Sequence, residues 1–234
     1  MNNLYHKVAV SSVCTALGFV LDASEEAKAA TFTLPSTITF EVIDKEEGSN
    51  SFDGLGDLVF PGFNVVARGT EGESAQFAEF NIGSFSLAPN TITSAIFRAK
   101  IFTFEAGGLG VGNPGSLGIF GYRGNGTADA SDFEAGVFLS SVDISSSSAG
   151  DFFSFDVTPF VNQRVSNGDA FAGFGIRALN PGAVALGGTD ALGRPSLVVE
   201  TVTITEPVPE PTTIFGSALA LGVGGWLKRK KSNQ

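Results

Sequence analysis

Between residues 30 and 206 the chain repeats one local pattern: short runs in which apolar and polar residues alternate, each cut by Gly, Asn or Pro. Ile38, Phe40 and Val42 alternate with Thr37, Thr39 and Glu41. Phe153, Phe155 and Val157 do so with Ser154 and Asp156, and Val202 and Ile204 with Thr201, Thr203 and Thr205. A period of two puts each apolar set on one face of a strand. The pattern predicts about nine strands, near 36–43, 63–68, 76–82, 92–104, 117–123, 133–142, 151–157, 170–179 and 196–205. Nothing alternates with long helices, so a parallel βαβ arrangement is disfavoured.

Composition points the same way. With 43% apolar residues, 16% charged and 30 Gly, the chain is too apolar to stay disordered and too glycine-rich for a helical protein. The expected fold class is all-β, a single antiparallel β-sandwich over residues 30–206, jelly-roll-like because that is the commonest extracellular form at this size. One short helix is expected to cover an open end of it. Thr158 would cap that helix, Pro159 suits its first position and Asn167-Gly168 ends it. The core must be built on Phe, of which there are 22, since the one Trp is Trp226 near the C-terminus.

Residues 1–29 read as a secretory signal helix. Lys7 supplies the positive start, residues 8–21 the apolar run, and Ala27-Lys28-Ala29 the small-x-small cleavage pattern. The alternative, an amphipathic first helix of the folded domain, would be striped rather than apolar throughout. Val13 precedes Cys14 where a lipoprotein signal needs a small residue, so no lipid anchor is expected. Loss of the leader removes the only Cys, the only His (His6) and the only Met. The remaining chain could run neither Ser-His-Asp nor Cys-His catalysis, nor hold zinc or iron on His or Cys, and it would have no disulfide. Its core would have to supply the stability alone.

At the other end Pro209-Glu210-Pro211 is followed by the uncharged run 212–227 and then by Lys228-Arg229-Lys230-Lys231. As a helix that run would rise about 24 Å, short of the ~30 Å hydrocarbon core, so it spans with snorkelling or local thinning. The cations hold the C-terminus on the cytoplasmic side and leave the domain outside. Pro209 and Pro211 keep the approach extended and open to a protease. This order resembles the PEP-CTERM sorting tail of bacterial envelope proteins, here over residues 207–234. The resemblance implies an exosortase-like membrane protease as partner, transient residence in the inner membrane, delivery to the cell surface or medium, and a link to exopolysaccharide or biofilm assembly. A plain anchor that is never cut is the alternative.

A second resemblance concerns the body. The segment Ser154-Phe155-Asp156-Val157-Thr158-Pro159-Phe160-Val161, then Gly173-Phe174-Gly175-Ile176, then Arg194-Pro195-Ser196-Leu197-Val198-Val199 is similar to the carboxy half of DNRLRE-type domains, jelly rolls related to carbohydrate-binding modules. Phe80-Asn81-Ile82 before Ala95-Ile96-Phe97 fits their opening strands. Those helices often carry a Trp where this chain has Gln163 or Arg164.

Three constellations bear on chemistry. The run 125–134 is the densest set of oxygen ligands; if extended, Asn125, Thr127, Asp129 and Ser131 share one face, and with Asp132 and Glu134 the loop could wrap a structural Ca²⁺. The other reading is a solvated turn in which Asp and Asn bond their own backbone, and the same choice applies to the smaller acidic turn 53–57. Asp129, Asp132 and Glu134 are also the nearest candidates for carboxylate-driven glycoside hydrolysis. With 8 basic against 21 acidic residues over 30–211, however, neighbouring carboxylates are expected by chance. Tyr122, with Arg123 beside it, is the candidate glycan contact, against a strand-end Tyr packed on the rim. The glycine run 107–112 lacks a following Lys-Ser/Thr and reads as a loop, as does 145–148.

The net charge of −10 argues against nucleic acid as a partner. The expected function is an exported, non-catalytic envelope or matrix protein with a structural or adhesive role. A carbohydrate-binding module is the first alternative and a carboxylate-dependent glycan hydrolase the second.

Overall fold

The computed structural model describes residues 28–45, 56–62, 64–70, 72–85, 90–104, 112–189 and 193–203. The signal segment through residue 27, the sorting motif Pro209, Glu210 and Pro211, the run 212–227 and the cluster Lys228, Arg229, Lys230 and Lys231 lie outside them. Among the described residues no helix is long and apolar enough to cross a membrane.

Among the described residues twelve strands form: β1 Lys28–Pro35, β2 Ile38–Asp44, β3 Leu58–Pro61, β4 Val65–Arg68, β5 Glu73–Asn81, β6 Asn90–Thr103, β7 Ser116–Tyr122, β8 Val137–Asp143, β9 Phe152–Asp156, β10 Phe171–Ala178, β11 Gly182–Leu186 and β12 Ser196–Thr203. Among the described residues two α-helices, α1 Asp132–Ala135 and α2 Thr158–Ser166, and a short 3-10 turn, Gly83–Phe85, join them. All pairings are antiparallel, in the order β1-β12-β6-β11-β4-β5-β10-β7-β8, with β2 also on β5, β3 on β2 and β9 on β6.

The sheet curls so that its own face becomes the core. In the pairing order β11 and β4 stand between β6 and the β5–β10 pair. Yet the Phe97 ring of β6 lies 5.9 Å from Phe80 of β5 and 5.4 Å from Phe174 of β10, centroid to centroid. Those contacts cross the interior. Phe155 of β9 and Phe160 of α2 complete the ring cluster, at 6.3 Å from Phe97 and 5.4 Å from Phe174. A second apolar cluster lies on the opposite face of β2, β5 and β7, made by Phe40, Val42, Ala75, Phe77, Tyr122 and, from α1, Phe133. β5 is therefore buried on both faces, which is why both of its parities carry apolar residues: Phe77 and Ala75 on one, Phe80 and Ala78 on the other.

The nine expected strands all have counterparts, and the differences have local causes. The expected strand 133–142 opens as the helical turn α1 and becomes extended only at Val137. β1, β3 and β11 were not anticipated. β3 and β11 read Leu-Val-Phe-Pro and Gly-Ala-Val-Ala-Leu, without alternation. β1 lies across the expected leader boundary: Lys28 and Ala29 pair with Thr203 and Val202, so a cut after Ala29 would fall inside the strand. Helix α2 ends as expected, with Asn167 donating to the Gln163 carbonyl, but Thr158 does not cap it. The cap position is Val157; Asp156 Oδ1 accepts from the Thr158 N–H, and the Thr158 hydroxyl instead accepts from the Ala95 N–H of β6 at 2.8 Å.

Because the core is one shared ring cluster, removing its central ring leaves a cavity lined by both halves of the sheet. Phe97→Ala is expected to cost about 3–5 kcal/mol in urea unfolding, whereas Phe102→Ala, on the exposed side of the same strand, changes stability by less than about 1 kcal/mol.

Candidate functional site

The candidate residues gather where β7 ends. Tyr122 stands opposite Gly173 of β10, and Gly173 in turn stands opposite Glu79 of β5. A Cβ at Gly173 would lie 2.3 Å from the Tyr122 ring, so only glycine lets the ring lie across β10. Crossing it, the Tyr122 hydroxyl donates to Glu79 Oε1 at 3.1 Å, and the ring meets Phe77 edge-on at 5.8 Å. The chain then turns back over this row. Gly126, at φ +83°, and Asn125 donate their N–H groups to Glu79 Oε2 at 2.6 and 3.1 Å. One buried carboxylate thus pins a strand end and the loop that follows it.

The ligand run is folded onto itself rather than pooled around an ion. Asn125 Oδ1 accepts from the N–H and hydroxyl of Thr127, and Asp129 Oδ1 accepts from the N–H and hydroxyl of Ser131. These donors hold the Asp129 carboxyl below the usual range. Asp132 is buried, its Oδ2 accepting from the Asp129 N–H, while Glu134 is exposed on α1. Among the described residues no three His, Cys, Asp or Glu side chains are placed to hold a metal. Of the two readings of this run, the bonding is that of the turn in which Asp and Asn bond their own backbone, so Asn125, Thr127, Asp129 and Ser131 do not line up on one extended face. Of the second acidic turn, Gly56 and Asp57 are described, and Asp57 Oδ2 accepts from the Lys45 N–H; residues 53–55 lie outside.

Tyr122 is 2% exposed, so its ring offers no face to a sugar, and the glycan contact assigned to it is corrected to a core position. Arg123 points outward and binds Asp169, 2.9 Å away, which Arg164 of α2 also approaches at 3.4 Å. Arg177 of β10 backs α1: it donates to the Phe133 carbonyl and lies 4.0 Å over the Phe133 ring and 4.7 Å over that of Phe120. Burial pulls its pKa below the ordinary value, with the Glu73 and Asp44 carboxylates opposing.

A second polar group is sealed inside. Glu41 of β2 accepts from the Val65 N–H at 3.0 Å, and Gln76 donates to Asn64 Oδ1 and to the Gly187 carbonyl. The Ser74 hydroxyl lies 2.6 Å from Glu41 Oε1 and 2.7 Å from the Val65 carbonyl. A hydroxyl has one hydrogen and a carbonyl has none, so the Ser74 hydroxyl donates to the Glu41 carboxyl or to the Val65 carbonyl, one at a time. Burial pushes the Glu41 pKa up, with the bonds from Ser74 and from the Val65 N–H opposing.

Glu79, Glu41, Gln76 and Arg177 were not anticipated. The available signal was β5 itself, where aromatic residues on both parities mean that any polar residue in the strand is enclosed.

No protein-family model matches this chain, and no curated protein matches it.

The buried carboxyls set a pH dependence. Burial first, then the Glu79 charge, pushes Asp132 up to about 7, against about 3.9 in an unfolded chain. Below about pH 4 both states hold the proton and the full stability is present. As pH rises towards 7 the unfolded chain binds fewer protons than the native one, so stability falls. Glu41, Glu73 and Glu79, all raised by burial, act with the same sign. The melting temperature is expected to drop between about pH 4 and pH 7, and Asp132→Asn to flatten that slope, read by circular dichroism.

Proposed function

We propose that this chain is an exported, non-catalytic envelope or extracellular-matrix protein, held at the inner membrane by residues 207–234 and released there by an exosortase-like protease. The observation that carries the reading is the order Pro209-Glu210-Pro211, uncharged run 212–227, Lys228-Arg229-Lys230-Lys231. Two prolines keep the approach extended, the run partitions into lipid, and four cations fix the side on which it ends. The leader ending near Ala27 and Ala29 gives the same topology from the other end. The body between them is read as a jelly-roll-like sandwich; the curled antiparallel sheet closing on one Phe cluster supports that architecture.

A structural or adhesive role, in an exopolysaccharide or biofilm setting, is favoured over the two alternatives by the site's own bonding. Of the hydrolase candidates Asp129, Asp132 and Glu134, Asp132 is buried and accepts from the Asp129 N–H and Asp129 is bound by Ser131, which speaks against their acting together as an acid–base pair on a glycan. The interior position of Tyr122 removes the main residue on which carbohydrate binding was based.

Mass spectrometry of the protein recovered from the medium is expected to find a C-terminus near Glu210. An intact Lys228–Lys231 end on every molecule would instead make the tail a permanent anchor and overturn the sorting reading.

A further inference from the structure

Asn-Gly occurs twice in the chain, at Asn125-Gly126 and at Asn167-Gly168. The dipeptide has a reaction of its own: the glycine nitrogen attacks the asparagine side-chain carbonyl and closes a five-membered ring, and no Cβ on the glycine obstructs the approach. Such a ring closure is helped by a base for the N–H, by donors for the oxygen that takes up charge, and by a side chain folded over the nitrogen.

At Asn125 these parts stand together. The Gly126 N–H donates to Glu79 Oε2 at 2.6 Å, so a carboxylate already holds the proton that must leave. Asn125 Oδ1 accepts from the Thr127 N–H at 2.8 Å and from the Thr127 hydroxyl at 2.6 Å, which puts donors on the oxygen of the electrophile. A bond from Oδ1 to the N–H two residues on also carries the carboxamide back across the Gly126 peptide. Gly126 is held at φ +83° against the Phe171 ring, where an added Cβ would lie 3.0 Å away. Asn125 itself is exposed, which admits water. Burial raises the pKa of Glu79, against the bonds from Gly126, Tyr122 and Asn125, and so strengthens it as a base.

Elsewhere the parts are separated. Asn81 Oδ1 accepts from the Gly83 N–H and Asn113 Oδ1 from the Gly115 N–H, in the same kind of turn. The intervening Ile82 N–H, however, donates to the Ala170 carbonyl, which is no base, and Pro114 has no N–H to give up. At Asn167 the N–H that would attack, that of Gly168, donates to the Val165 carbonyl.

We propose that Asn125-Gly126 is a self-modification site, at which the chain converts its own asparagine with Glu79 as the base. The Gly126 N–H passes its proton to Glu79 as the nitrogen bonds to Asn125 Cγ, and the carbonyl π pair moves onto Oδ1 between the Thr127 donors. That pair returns, the Cγ–Nδ2 bond breaks, and Nδ2 leaves as ammonia with the proton that Glu79 had taken. The product is a succinimide ring, and water opens it at one carbonyl or the other to leave aspartate or isoaspartate at position 125. Isoaspartate adds a methylene to the main chain just before Gly126, which moves that N–H off Glu79. The reaction is thus a one-way release of the loop after β7, and it holds whether or not the chain is exported and sorted.

The test is peptide mapping by mass spectrometry, with isoaspartyl peptides separated, of the purified full chain kept in mild detergent near neutral pH. Asn125 is expected to convert about tenfold or more faster in the folded chain than in urea, an acceleration that Asn167 does not share. Glu79→Gln keeps an acceptor for the Gly126 N–H but no base, and should remove most of that acceleration. Thr127→Val loses the hydroxyl and keeps the N–H, and should reduce it severalfold. An Asn125 that converts more slowly folded than in urea would show that the Glu79 bond protects the amide, and overturns the proposal. A rate unchanged by Glu79→Gln overturns it equally. If Glu79→Gln fails to fold, Thr127→Val and the comparison of folded chain with urea still decide.

Discussion

The structure depends on one contact across its interior, where the Phe97 ring meets Phe80 and Phe174 although their strands are not neighbours in the sheet. A single sheet has two faces, and without a second layer it buries neither. By curling, this one uses β6, its longest strand, to carry the chain from β12 to β11 and bring one region of the sheet over another. Burial of aromatic rings, each removing a large apolar area from water, is what offsets the ordering of the strands in a described body that is mostly turns and ladders.

That closure decides the chemistry of everything inside it. β5 is enclosed on both faces, so Glu73, Ser74, Gln76 and Glu79 are all buried and each must find partners or lose its charge. Glu79 is bound by three donors and fastens the loop after β7; Glu41 accepts from the Ser74 hydroxyl and from the Val65 N–H. The carboxylates left in water, such as Asp129 and Asp143, do the opposite: they cap their own turns and stay ionised more readily than usual. The interior acids, raised by burial, favour acidic conditions, while the exposed ones favour their charged form.

Much of the fold was legible because a two-residue period survives wherever one face of a strand is wet. Phe153 and Phe155, or Phe40 and Val42, could be assigned their faces from spacing alone. Legibility failed where both faces are dry or the run is short, as in Gly-Ala-Val-Ala-Leu of β11, and where a local bond outcompetes a pattern, as when Asp156 binds the Thr158 N–H and Val157 takes the cap position. The site was half legible. Asn125, Asp129 and Asp132 stood out by composition, but Glu79, which holds the start of their loop at Asn125 and Gly126, comes from a strand far away in sequence, and no local signal links the two. Tyr122 looked like a surface aromatic because the glycine beneath it, Gly173, belongs to another strand.

Native-state hydrogen exchange tests the central contact most directly, since amides in one cooperative core open only with the whole. The account predicts that the hydrogen-bonded amides of β5, β6 and β10 exchange at the same, highest free energy and with the same denaturant dependence. Exchange of β6, β9 and β12 as a group, well below the level of β5 and β10, would mean that the sheet does not close through Phe97 and would contradict it.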